Sequence, residues 1–321
     1  MIIKPLEQYD RELYAECAKE YGTVFNSLDW LLIFGDKVQI YGIYNKGGEL
    51  TGGFHLYKEK KLGFSLYCDP PFTPTIGPFL KVESTNPVSI MDTWKKLLSS
   101  LSDFIESMPY LIISLSLDRR IVDTQPFIWK KFKVIPGYTY LVNLSLSVDE
   151  IWSKMSSERR KNINKGLKDG LVTTKLDNFE IIKSLVVKSF TRQRMIVSES
   201  YLDKILFKFS NNCNSFAFVT SKNGNPIGGT FCVYDNNRAY YLLGGYDSDK
   251  KHHGAGTLSM WESIKYARNL GLKYFDFEGS MIPQIEKYLR GFGGELSPFF
   301  RINKAIIPIE IILKFYKRQL F

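Results

Sequence analysis

The 321-residue sequence contains no run of about eighteen apolar residues, the length a helix needs to span a bilayer. Its start, MIIKPLEQYDRELY, lacks the basic-then-apolar order of a signal peptide, so a cytoplasmic location is expected. Histidine is scarce: His55, His252 and His253 stand without an HExxH helix or a Cys/His cluster, and no metal is expected. Cys17, Cys68, Cys213 and Cys232 are scattered and form no CxxC pair, which fits buried thiols in a reducing compartment. A GxSxG elbow is missing, which removes support for a serine hydrolase. No sustained heptad pattern supports a coiled coil.

What is present is an ordinary globular composition, 44% hydrophobic and 24% charged, long enough for two domains of about 150 residues each. The charge is uneven. Residues 1–150 hold 16 Lys+Arg against 18 Asp+Glu, whereas residues 151–321 hold 27 against 15. A basic second half suits a polyanionic ligand, with a solvated lysine-rich surface as the alternative.

The segment from Ala239 to Gly279 is the most informative. It reads as a strand (AYYLLGG), a charged turn (YDSDKKHH), the run Gly254-Ala255-Gly256, a helix over Thr257–Leu270 and a strand ending Phe275-Asp276-Phe277-Glu278-Gly279. A glycine-bearing turn that opens a helix presents backbone N–H groups at the positive end of the helix dipole, where phosphates bind. The chain also repeats itself at an offset of 176 residues. IYNKGGELTGGFHLY (43–57) and VTSKNGNPIGGTFCV (219–233) align without a gap, Gly48 on Gly224 and Gly52-Gly53 on Gly228-Gly229. Each hairpin is followed by a strand, a helix and a strand. The expected fold is therefore α/β (α+β): two tandem domains of one type, 1–146 and 147–321, each a mixed twisted sheet flanked by helices. Only the second has the glycine turn. The first has the proline-studded stretch Asp69–Pro78 instead.

Lys251-His-His-Gly254-Ala-Gly256 resembles the [Arg/Gln]-x-x-Gly-x-[Gly/Ala] loop with which GNAT acyltransferases hold the pyrophosphate of coenzyme A, with lysine in the first place. Tandem GNAT domains with the loop in the second resemble the Fem-type peptidoglycan-bridge (methicillin-resistance-like) transferases and their acyltransferase relatives. Met155–Leu171 resembles that family's basic entry helix, Phe275-DFEGSM-Met281 its Asp-Phe-x-Gly strand end, and Ile285-EKYLRGFGG-Gly294 its Phe-Lys-x-Gly-Phe-Gly turn. Aligned on Gly291-Phe292, however, Leu289 stands where the tRNA-dependent enzymes carry lysine.

The resemblance implies an N-acyltransferase in which an amine attacks an activated acyl carbonyl. No cofactor would be permanently bound. Acyl-CoA is the expected co-substrate and aminoacyl-tRNA the alternative. The acceptor would be a small-molecule or lipid-linked cell-envelope sugar or peptide precursor. A non-catalytic binding protein on the same fold is a further alternative. Leu243, Gly244, Gly245, Lys251, His253, Gly254, Ala255 and Gly256 are the expected donor-binding residues, with amides near Leu242–Gly245 facing the oxyanion. Strand alternation puts Asp276 and Glu278 on one face, as candidate bases, with Tyr288 as candidate proton donor to the leaving group. Arg159, Arg160 and Arg290 are candidate phosphate or substrate contacts. The apolar, basic-ended tail Ala305–Phe321 is expected to dock as a final helix, weak membrane contact being the alternative.

Overall fold

The computed structural model describes residues 1–321 apart from 62, 194–197, 248, 250, 251, 280 and 321. In chain order the first elements are β1 (Ile2–Pro5), α1 (Arg11–Tyr21), α2 (Leu28–Leu32), β2 (Val38–Tyr44), β3 (Leu50–Lys61), β4 (Phe64–Cys68) and β5 (Phe79–Leu80). Next come α3 (Pro87–Ser107), β6 (Ile112–Ser116), α4 (Gln125–Trp129), β7 (Lys133–Asn143), α5 (Val148–Lys154), α6 (Ser157–Lys168) and β8 (Val172–Leu176). They are followed by α7 (Glu180–Arg192), α8 (Glu199–Lys204), β9 (Ser215–Lys222), β10 (Asn225–Tyr234) and β11 (Arg238–Tyr246). The last are α9 (Gly254–Asn269), β12 (Tyr274–Asp276), α10 (Pro283–Arg290), β13 (Glu295–Ala305) and α11 (Ile307–Tyr316).

Two compact units result: Met1–Gly137 with Pro298–Phe321, and Tyr138–Ser297. The division differs from the expected 146/147. The polar stretch 144–150 that looked like a linker is the capped entry to α5, where Ser147 and Glu150 form a reciprocal capping box. Division falls instead within β7, and the chain returns to the first unit at its end.

In the first unit, β1, β2, β3 and β4 pair antiparallel in that order, and β4 pairs parallel to β6. The end of β13 then pairs antiparallel with β6. Helix α3 starts at Asn86, whose side chain accepts from the Val88 and Ser89 amides, with Pro87 at the first helical position. Its Leu97, Leu98, Leu101 and Ile105 bury one face against the core that also holds Phe54, Ile113 and Phe127. In the second unit the end of β7 pairs antiparallel with β12, and β12 pairs parallel to β11. β11, β10, β9 and β8 follow antiparallel. The β9–β10 turn places Asn223 at φ 50° and Gly224 at φ 76°, the left-handed pair a tight hairpin favours.

The repeated glycine pairs have a common packing reason. A Cβ at Gly53 would strike the Tyr14 ring of α1, and one at Gly229 would lie 2.7 Å from Ile182 Cδ1 of α7. The first glycine of each pair meets backbone. Gly52 faces the Phe79 carbonyl of β5, while a Cβ at Gly228 would lie 3.0 Å from the Gly256 nitrogen of α9. The same number of residues separates Gly52 from Phe79 as separates Gly228 from Ala255. The place taken by the helix start in the second unit is therefore filled by β5 in the first. Asp69 also ties the end of β4 to that of β6, accepting from the Ser116 amide at 2.8 Å and the Ser116 hydroxyl at 2.7 Å.

The tail forms α11, a final helix tied to the first unit by hydrogen bonds before and after it, with none of its residues fully buried. Among the described residues no helix is long and apolar enough to cross a membrane, and no cluster of His, Cys, Asp or Glu could hold a metal ion.

Candidate active site

Strands β11 and β12 pair only from Arg238/Tyr274 to Tyr240/Asp276. Beyond that point β11 continues to Tyr246 paired with β10 alone among the described residues, so the sheet opens along its edge. The register between β10 and β11 shifts at Phe231/Cys232 and leaves Leu242 as an extra residue in β11, a bulge of the kind that re-aims a strand next to a site. The Asp247 amide donates to the Ile227 carbonyl of β10. By alternation the Tyr246 and Gly244 amides point the other way. Tyr246 N–H donates to Ser189 Oγ at 2.9 Å, and Gly244 N–H is directed into the opening.

A cavity of about 740 Å³ fills this opening. Its walls are Tyr241, Gly244 and Tyr246 of β11, Gly256 and Thr257 of α9, Ser189 and Arg192 of α7, and Gln284, Ile285 and Tyr288 of α10. His252 and His253 close one end, and no carboxylate lines it among the described residues. With Arg192 and a helix start in its wall, the lining favours a negatively charged or ester-bearing ligand.

The helix start is only partly available. Helix α9 begins at Gly254, three residues before the expected start, so the glycines form its first turn rather than a preceding loop. His252 N–H donates to the Tyr246 hydroxyl at 2.8 Å, Gly254 N–H to His252 Nδ1 at 3.0 Å, and Ala255 N–H to the His252 carbonyl at 3.1 Å. The Gly256 amide has no partner among the described residues. Gly254 is a packing residue: its Cβ would lie 2.8 Å from the Asn162 carbonyl and 2.9 Å from Gly166 Cα of α6. Gly245 likewise admits α7, its Cβ position being 2.5 Å from Leu185. Leu243 is a core side chain. Lys251 lies outside the described residues.

The two expected bases are not brought to the cavity. Alternation along β12 ends at Asp276, because Glu278 adopts φ 56° and turns the chain away. Asp276 is buried and fully engaged. Its Oδ1 accepts from Thr139 Oγ1 at 2.6 Å and the Glu278 amide at 3.0 Å, and its Oδ2 faces Arg238 NH1 at 3.2 Å. That is a structural ion pair at the strand end, and neither Asp276 nor Glu278 lines the cavity. Tyr288 does line it. The Arg159 guanidinium stacks 4.7 Å from the Tyr288 ring centroid. Burial pushes the Tyr288 hydroxyl up to about 12, against the opposing pull of Arg159 and of a hydrogen bond with Thr257. The hydroxyl is therefore protonated at neutral pH and available as a donor. Burial also raises the neighbouring Tyr241 hydroxyl.

Of the candidate arginines, Arg159 is absent from the described lining of the cavity and lies against Tyr288, which is part of it. Arg160 donates to the Ser153 carbonyl at 3.0 Å, and Arg290 pairs with Glu286 at 2.8 Å. Ser189, Arg192, Tyr241, Thr257 and Gln284 were not singled out from the sequence, which gives such residues no signal beyond that of exposed helix positions and strand aromatics.

Residues 157–288 match the family model described as "Acetyltransferase (GNAT) domain". A comparison with curated proteins gave no match. Among solved structures the chain is similar to FemX, with 14% identity, coverage of 98% of this chain and 99% of that one, and a TM-score of 0.69. It is also similar to the C-terminal domain of a putative lysylphosphatidylglycerol synthetase from Agrobacterium fabrum (10% identity, 95% and 96% covered, TM-score 0.58). L-PGS from Bacillus licheniformis is a third such structure (13% identity, 98% and 97% covered, TM-score 0.55). At these identities the likeness is one of fold. The opened sheet, the cavity at the start of α9 and the matched domain together make this an acyltransferase with a GNAT-like fold.

Proposed function

We propose that the chain transfers an aminoacyl group from aminoacyl-tRNA to an amine of a cell-envelope precursor. The observation that carries this reading is the internal pairing of the His252, Gly254 and Ala255 amides. A pyrophosphate cradle needs those N–H groups free, so their pairing weighs against a coenzyme A donor. An aminoacyl ester makes a smaller demand: one oxyanion donor, one proton donor for the leaving oxygen, and basic surface for the tRNA backbone. The Gly244 amide is suited to the first role and Tyr288 to the second. The excess of 22 Lys+Arg over 16 Asp+Glu in the second unit, residues 138–297, suits the third. Similarity to FemX and to lysylphosphatidylglycerol synthetase structures supports the same direction.

The amine nitrogen would attack the ester carbonyl, forming the N–C bond as the C–O bond breaks. The ribose oxygen takes the Tyr288 proton, and the proton lost by the amine returns through solvent to Tyr288. A second reading, transfer from acyl-CoA, is favoured by the open Gly256 amide at the cavity wall.

The deciding experiment compares donors. Charged tRNA is expected to bind with an affinity that falls steeply with salt, while millimolar coenzyme A leaves the melting temperature unchanged. A coenzyme A shift worth about 2.7 kcal/mol at 100 times its dissociation constant, with no tRNA binding, would reverse the assignment.

A further inference from the structure

Helix α11 is fastened at both ends. The Ile306 amide donates to the Leu111 carbonyl at 3.2 Å, and Asn303 Nδ2 donates to the Leu320 carbonyl at 2.7 Å. Lys133 Nζ reaches the Arg318 carbonyl at 3.5 Å. A helix held in this way would ordinarily bury its apolar stripe. Here Ile307, Ile311 and Phe315 recur every fourth residue, flanked by Ile312 and Tyr316, and all are exposed, Phe315 by 82% and Tyr316 by 84%. Beside this stripe Lys131, Lys133, Lys314 and Arg318 line a groove of about 490 Å³ with Phe132 and Glu310. Among the described residues the one carboxylate in the groove is already paired, Glu310 to Lys314 at 3.0 Å. Trp129, 64% exposed at the end of α4, precedes Lys130-Lys131 directly in the chain.

Exposed aliphatic residues, aromatic rings and a cluster of cations in one unit form the pattern of a helix that lies in a membrane interface. A protein interface would be depleted of lysine at such a place, and a tRNA contact would not require the isoleucine stripe. We propose that this face of the first unit docks on an anionic bilayer surface. Ile307, Ile311 and Phe315 then enter the acyl boundary, and Lys131, Lys133, Lys314 and Arg318 lie against lipid phosphates. The surface lies wholly within the first unit and does not depend on which donor the second unit uses.

The test is flotation of the full chain with vesicles of phosphatidylcholine alone and of phosphatidylcholine mixed with phosphatidylglycerol. The wild-type chain is expected to float with the mixed vesicles only, and to lose binding as salt rises. Each cation near the surface contributes about a fivefold factor in partitioning, so Lys131→Glu with Arg318→Glu should lower it at least about tenfold. Ile307→Glu with Phe315→Glu should abolish flotation while leaving the melting temperature unchanged, because both side chains are largely in water. Wild-type protein that stays unbound, or variants that float as well as it does, would overturn the proposal. So would a dimer in sedimentation that Phe315→Glu dissociates and vesicles do not compete with, which would assign the face to a second copy of the chain.

Discussion

His252 and Asp169, 83 residues apart in the chain, meet at 3.0 Å between Nε2 and Oδ2. The opposite ring nitrogen, Nδ1, accepts from the Gly254 amide, so the ring proton sits on Nε2 and points at the carboxylate. Both nitrogens are thus engaged in holding the start of α9, and His252 acts there as a structural bracket.

Replacing His252 by alanine should release the Gly254 amide at a cost of about 1 kcal/mol for each hydrogen bond lost. If that bracket is what disfavours coenzyme A, the variant should gain a thermal shift with coenzyme A that the wild type lacks. The hydrogen bond from His252 also holds the Asp169 carboxyl below its ordinary range. A depressed carboxylate stabilises the fold above the unfolded pKa and loses that contribution as pH falls through the folded value. His252→Ala should therefore remove part of the acid sensitivity of the melting curve.

Gly254→Ala and Gly256→Ala should behave oppositely. The first drives a methyl group into the backbone of α6 and should destabilise by about 1–3 kcal/mol. The second meets only the Tyr288 hydroxyl at 3.4 Å and removes a helical glycine, so the melting temperature should hold or rise slightly. The methyl group narrows the cavity, and donor KM should rise without a loss of folded protein.

Tyr288→Phe keeps the ring that packs at 5.3 Å from Phe292 and beneath Arg159. It removes only the hydroxyl. The expected result is a kcat lower by about 10²-fold at nearly constant KM and melting temperature. An unchanged kcat would assign Tyr288 to packing alone.

Asp276→Asn should act on stability. It weakens the buried contact to Arg238 and the acceptor that holds Thr139 and the Glu278 amide, at a cost of about 1–3 kcal/mol. Activity per folded molecule should survive, whereas a proton-accepting Asp276 would lose it.

Burial pushes the Asp69 carboxyl up to about 6, against the pull of Ser116 and Arg301. A raised carboxyl binds its proton more tightly in the folded state, so its contribution to stability falls as pH rises from about 4 to 6. The stability difference between wild type and Asp69→Asn should shift over that window by on the order of 2 kcal/mol, in favour of the variant at the upper end. A flat difference in chemical denaturation across that window would contradict it.

Periodicity and punctuation in the sequence foretold the strand–helix–strand run from Arg238 to Asp276 and the duplicated hairpins, because turn glycines and apolar spacing are local signals. The chemistry of the cavity was less legible. The Asp169–His252 contact joins segments far apart in the chain, and no spacing rule links them. Strand alternation misplaced Glu278 because one left-handed residue ended the strand. The boundary between units was missed because β7 crosses it as unbroken strand, while the polar turn at 144–150 only looked like a hinge.

The carbonyl of Phe79 facing Gly52 sets the first unit apart from the second. Main chain, rather than a removable side chain, fills the place that the start of α9 takes beside Gly228, so no point substitution would open it. Opening it would take replacement of a whole turn, with Asp69's tether to Ser116 cut as well. The first unit is thereby committed there to a closed frame, and only its outer surface is left to vary.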